Sequence, residues 1–100
     1  MIAGTTPTHT FNIPFKTSII YEVRVIYAQN NKPIVVKTRA DCTLEDTQIS
    51  VTLTQEDTLK FDYKYPVEIQ IRILTDTGSA LASIPKTVGV TKCLEDGVIK

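Results

Sequence analysis

The side chains of this sequence that could do chemistry are few and scattered. His9 is the only histidine. Imidazole catalysis or a transition-metal site needs two or three groups converging at short spacing. Nothing near His9 supplies them, so it reads as a lone surface histidine. Cys42 and Cys93 stand half the chain apart, with no CxxC spacing. A thiol becomes a nucleophile only beside a base or in a cationic setting, and neither flank displays one. Whether the two cysteines pair with each other is left open by the sequence. Three acidic doublets, Glu45-Asp46, Glu56-Asp57 and Glu95-Asp96, offer paired carboxylates. All three fall in predicted turns, where acidic residues serve solvation and capping, and no calcium-loop spacing connects them. GTTPT has one glycine and no following lysine, so it is not a phosphate loop. Tyr21, Tyr27, Tyr63 and Tyr65 suggest a stacking platform for sugars or bases. Tyr21 and Tyr27, however, share the face of Val23 and Val25, which assigns them to the core or its rim. No nucleophile–base pair can be named. The expectation is a protein that is not an enzyme, with no metal and no cofactor.

The elements that would position these groups are strands. The stretch from Thr47 to Leu74 organises the chain. Ile49, Val51 and Leu53 alternate with Gln48, Ser50 and Thr52, and Val67, Ile69, Ile71 and Ile73 alternate with Glu68, Gln70 and Arg72. Period-two alternation marks half-buried strands. Between them Thr54 stands three residues before Asp57, a short variant of the capping box, which predicts one helical turn near 54–58. Leu59 and Phe61 then return to the core, and the whole stretch crosses between two sheets. Upstream, Phe11, Ile13 and Phe15 predict a first strand, placed at an edge or bent by Pro14, which cannot donate to a ladder. Tyr21 to Ala28 predicts a second, Gln29 to Pro33 a hairpin loop, and Ile34 to Ala40 a third. Asp41 to Asp46 reads as a polar connection. Asp76 to Ser79 is a tight turn with Gly78 at positive φ, and Ala80 to Leu94 a strand interrupted at Pro85 and Gly89.

About seven short strands with regular turn signals predict an all-β fold, an antiparallel β-sandwich of immunoglobulin-like architecture, with a small closed barrel as the alternative. One hundred residues make one domain, divided into an N-terminal arm (1–8), the sandwich (9–94) and a C-terminal tail (95–100). Eleven basic and eleven acidic residues cancel, which leaves no electrostatic footprint for nucleic acid or an anionic membrane. No apolar run is long enough to span a bilayer. The first residues lack a secretory pattern, and two cysteines do not make a disulfide scaffold. The expected place of synthesis is a reducing cytoplasm.

Several pieces resemble one family of small proteins encoded by tailed bacteriophages and prophages of Gram-positive bacteria. They are GTTPTHTF (4–11), VRVIYAQN (23–30), DCTLEDTQISVTLTQEDTLKF (41–61), VEIQIRILT (67–75) and CLEDGVI (93–99). The resemblance covers nearly the whole chain and brings no catalytic or ligand-binding residue with it. It implies a virion structural or assembly protein, made in the bacterial host cytoplasm and located in the virion. Its partners would be other phage structural proteins or copies of itself, in an oligomer within the particle. A carbohydrate- or surface-binding adhesion module is the alternative. Expected contact residues are Ile2, Pro7, Pro14, Pro85, Val98 and Ile99. Pro14 and Pro85 mark the first and last strands as edges, Ile2 and Pro7 belong to the arm that would lie along a neighbour, and Val98 and Ile99 are apolar at a terminus where the fold itself does not require them.

Overall fold

The computed structural model describes residues 1–83, 85–94 and 97–99. Two antiparallel sheets enclose one core. The first sheet contains β1 (Thr8–Asn12), β4 (Cys42–Glu45) and β5 (Gln48–Thr52), in the order β1-β5-β4. The second contains β2 (Ile20–Gln29), β3 (Lys32–Thr38), β6 (Val67–Thr75), β7 (Ala80–Ala82) and β8 (Lys86–Val88). Its order is β3-β2-β6, with β7 and β8 sharing the far side of β6. With β1 to β6 taken as strands B, C, C′, D, E and F and β7–β8 as G, the orders B-E-D and C′-C-F-G are those of an immunoglobulin-like sandwich, and among the described residues no strand takes the place of A beside B. The fold is therefore an all-β sandwich of that kind.

Alternation sets the core. Val23, Val25 and Tyr27 of β2, Ile49 and Val51 of β5, and Val67, Ile69, Ile71 and Ile73 of β6 all face inward and are buried. On the outer side of the first sheet, cross-strand pairs lock the register: Thr8 with Thr52 (2.7 Å), Thr10 with Ser50 (3.1 Å), and Gln48 with Asn12 (3.1 Å). Asn30 and Asn31, both at positive φ (50° and 63°), close the β2–β3 hairpin as a primed turn demands.

Three readings need correction. Asp41–Asp46 is not merely a connection: β4 lies there and pairs with β5, because Asp46 at φ 48° turns the chain sharply enough for a hairpin. Tyr21 is not at the core. The β2–β6 register shifts by one residue between Ile20 and Glu22, which puts Ile20 inward and leaves Tyr21 69% exposed. A one-residue bulge reverses the face of everything beyond it. The first strand ends at Asn12, so Pro14 lies past it, although Ile13 still donates to the Thr47 carbonyl at 2.9 Å. The interruption expected near Pro85 is present as the break between β7 and β8, across which the register to β6 moves by one residue.

The capped turn is α1 (Gln55–Leu59). Thr54 Oγ1 accepts from the Asp57 N–H (3.1 Å), and the Asp57 carboxylate accepts from the Thr54 N–H (2.9 Å). This helix gathers distant segments. Thr58 Oγ1 accepts from the Gly4 N–H (2.9 Å) and donates to the Thr5 carbonyl (2.8 Å). Lys37 of β3 reaches Asp57 at 2.7 Å. Gln55 accepts from the Ile99 N–H (2.8 Å) and donates to its carbonyl (3.2 Å).

Candidate functional site: an open seam between the sheets

Among the described residues no strand pairs with the outer side of β1, so β1 forms one edge of the first sheet, opposite the β7–β8 side of the second. The space between them is a groove of about 550 Å³. Phe11, Ile13 and Phe15 line one wall; Ile71, Ile73 and Leu81 line the other. Ile71 and Ile73 retain 6% exposure each, whereas Leu81, which pairs with Ile73, is 46% exposed. Leu81 thus lies in register with the core face yet stays nearly half exposed. A smaller depression of about 230 Å³ lies between His9 and Phe11 on one side and Ile69, Lys86 and Val88 on the other.

The backbone of β1 completes the seam. Leu53 donates to the Pro7 carbonyl (3.0 Å) and Ile13 to the Thr47 carbonyl (2.9 Å). Hydrogen-bonded positions alternate in an antiparallel ladder, so residues 7, 9, 11 and 13 give their backbone groups to β5. Thr8, Thr10 and Asn12 direct theirs outward, and no strand among the described residues pairs with that edge. The first residues run elsewhere. Ile2 bridges Thr91 in parallel, Ala3 donates to the Thr91 carbonyl (3.0 Å), and the terminal ammonium donates to the Gly89 carbonyl (3.0 Å).

His9 is not a lone surface histidine. It lies on β1 with its ring half-buried, Nδ1 2.8 Å from the Tyr27 hydroxyl and the ring centroids 5.5 Å apart. Burial, then the terminal ammonium and Lys86, lower its pKa. Tyr27 is fully buried, and burial, then Cys42 and Asp57, push its hydroxyl far up. The pair is a neutral hydrogen bond across the core. Cys42 and Cys93 are both free thiols. Burial, followed by the charges of Asp41 and Glu22, raises the Cys42 thiol against the opposing pull of Lys37, the reverse of an activated nucleophile. Among the described residues no three His, Cys, Asp or Glu side chains converge as metal ligands, and no helix is long and apolar enough to cross a membrane. Burial pushes the Asp57 carboxyl up, but the Lys37 ammonium and the Thr54 hydrogen bonds outweigh it and hold it below the usual aspartate range. Of the other acidic doublets, Asp46 pairs with Lys16, and Glu95-Asp96 lies outside the described residues.

The expected contact residues do not gather at one place. Pro14 is exposed at the end of the seam. Ile2 is 50% exposed beside Thr91, and Pro7 is half-buried against Leu53. Pro85 stands exposed at the β7–β8 break; Val98 is half-buried, and Ile99 is 79% exposed with its backbone held by Gln55. Residues 1–8 lie against their own domain rather than apart from it. Of the residues that make the seam, Phe11, Ile13 and Phe15 read in the sequence as ordinary alternating strand positions, and Leu81 carries no signal beyond lying in the Ala80–Leu94 strand. The signal available was Pro14, which marked the first strand as an edge without any sign of what would stand opposite it. The tyrosines do not form one platform: Tyr21 lies beside the Thr75 end of the β2–β6 ladder, whereas Gln29 at the other end of β2 binds the Asp62 and Tyr65 carbonyls (2.7 and 3.0 Å). Comparison with known proteins finds no family model, no curated protein and no solved structure that matches this chain.

Proposed function

We propose that this chain is a non-enzymatic structural or assembly component of a phage particle, working through protein–protein contacts made at the open seam. The observation that carries the contact role is the uncovered seam, with outward backbone groups on Thr8, Thr10 and Asn12 beside an apolar groove. Such an edge takes an added strand: backbone hydrogen bonds give affinity and the groove receives alternate side chains. The sequence resemblance supports the phage setting. The partner is another particle protein or a second copy of this chain.

The test has two arms. Mass spectrometry of purified particles is expected to find the chain; its persistent absence would move the reading to an assembly factor that leaves before completion. Leu81→Lys and Thr10→Pro each alter the seam at an exposed position, the second by removing an outward N–H. Both are expected to fold and to be excluded from particles or partner complexes. Incorporation of both at wild-type levels would overturn the seam as the contact.

One observation favours the adhesion alternative. Tyr63 and Tyr65, 51% and 46% exposed, lie between α1 and β6, with the Lys92 ammonium 5.6 Å from the Tyr63 ring centre. Glycan-array binding that Tyr63→Ala abolishes would support it, and a blank array would remove it.

A further inference from the structure

The outer face of the second sheet carries a feature that neither the fold nor the seam explains. Arg24 of β2 and Arg72 of β6 are directly opposed in the ladder. Ile71 and Thr75 turn their backbone groups toward the β7 side, so Arg72 gives its own to β2. The Arg24 and Arg72 Cα atoms therefore stand about 5.5 Å apart. Both strands are interior to the sheet, and both side chains are exposed. Neither guanidinium has an ion pair or hydrogen bond among the described residues. Like charges placed opposite one another destabilise a sheet. Glu22 shares a depression of about 250 Å³ with both arginines, and the backbone N–H groups of Arg39 and Val23, with a smaller contribution from the Arg24 charge, hold its carboxyl below the usual glutamate range. Its Oε1 is already engaged by the Val23 and Arg39 N–H groups (2.9 and 3.0 Å), and the Arg39 backbone contact brings a third arginine to this region. Val36 and Leu74, 46% and 38% exposed, extend the outer face with apolar surface.

We infer that this face docks an acidic segment of a partner protein, with one carboxylate received between Arg24 and Arg72 and flanking apolar side chains resting on Val36 and Leu74. The argument is charge complementarity. Two guanidinium forks on rigid neighbouring strands match a planar carboxylate. A chain of zero net charge that holds two cations together against their repulsion presents a local demand for an anion. Protein is favoured over nucleic acid because two or three cations amid apolar residues make a small footprint for a phosphate backbone. Arg24 and Arg72 lie on the opposite face of the sheet from the core, and although the depression they share borders Ile73 and Leu81 of the seam, Arg24→Glu and Arg72→Glu change no residue of the seam, so either contact can fail while the other survives.

The experiment selects from a randomised displayed peptide library on the folded chain. Selected peptides are expected to be enriched in Asp or Glu beside apolar residues and to bind more weakly as salt rises. Against Arg24→Glu or Arg72→Glu they should lose about tenfold or more in affinity, as the loss of a charged hydrogen-bonding partner implies. Arg72→Glu should melt at or above the wild-type temperature, because it relieves the repulsion; loss of binding is then not loss of fold. Three results would overturn the inference: no acidic enrichment, equal affinity for wild type and both variants, or displacement of the peptides by a single-stranded oligonucleotide at lower concentration than by an acidic peptide.

Discussion

Replacing Thr58 by valine removes one oxygen atom and very little else. The side chain is fully buried in α1, and valine keeps its shape and its β-branch. The lost hydroxyl accepts from the Gly4 N–H at 2.9 Å and donates to the Thr5 carbonyl at 2.8 Å. Both backbone groups lose those partners. An unsatisfied buried polar group costs about 1–3 kcal/mol. These two are only part-buried, so the lower figure applies to each, and the expected loss is about 2 kcal/mol in total. That is a substantial share of the ~5–15 kcal/mol stability of a domain, and it lowers the melting midpoint by about 8–16 °C at this chain length. Denaturant titration measures the global loss, and amide exchange locates it. The Ala3 and Gly4 amides should lose protection far more than the β2–β6 ladder, while Thr58→Ser, which keeps an oxygen, should retain most of it. If Thr58→Val stays within about 0.5 kcal/mol of wild type and the Gly4 amide exchanges no faster, residues 1–5 are not held as described.

Other outcomes follow from the same contacts. Thr54→Ala should cost about 0.5–2 kcal/mol through loss of the helix cap, and an unchanged denaturation midpoint would refute the capping role. Ile71→Asp places an unpaired carboxylate at a position with 6% exposure. It should unfold the domain, so near-wild-type melting would show the seam wall to be wetter than its geometry indicates. Asp57 is held below the usual aspartate range. Its stabilisation is therefore present above the unfolded-state value, near pH 4, and disappears as pH falls through the lower folded-state value. Wild type and Lys37→Met should differ in stability at neutral pH and converge in acid, and a difference that is the same at both extremes would remove the Lys37–Asp57 pair as its cause. His9 is also lowered, so its contribution is complete above about pH 6.5 and declines as pH drops toward the folded-state value. A pH profile of His9→Gln lacking that component would confirm it, and a profile identical to wild type would exclude it.

Local chemistry determined much of this protein. Alternation in Val67–Thr75 fixed which face of β6 is buried, since a side chain's direction in a strand depends only on parity. Thr54 and Asp57 specified their turn because a capping box closes within four residues. Asn30-Asn31 and Gly78 marked turns by the backbone angles they tolerate. What sequence reading missed depends on residues far apart in the chain. The bulge after Ile20 that exposes Tyr21 exists only when β2 is laid against β6. Nothing near His9 announces Tyr27, which approaches from the facing sheet. The seam is the clearest case. Phe11 and Ile13 carry the same alternating pattern as residues that end fully covered, because parity tells a side chain which way to point and says nothing about what stands opposite. Whether a strand covers them is decided when β1 and β7 become edges of separate sheets and the first residues run to Thr91 instead. The opposition of Arg24 and Arg72 is likewise a fact of register between strands more than forty positions apart. Outside the bulge at Tyr21, sequence set the direction of the strand side chains; their neighbours were set by long-range pairing, where burial of the whole core outweighs any local preference.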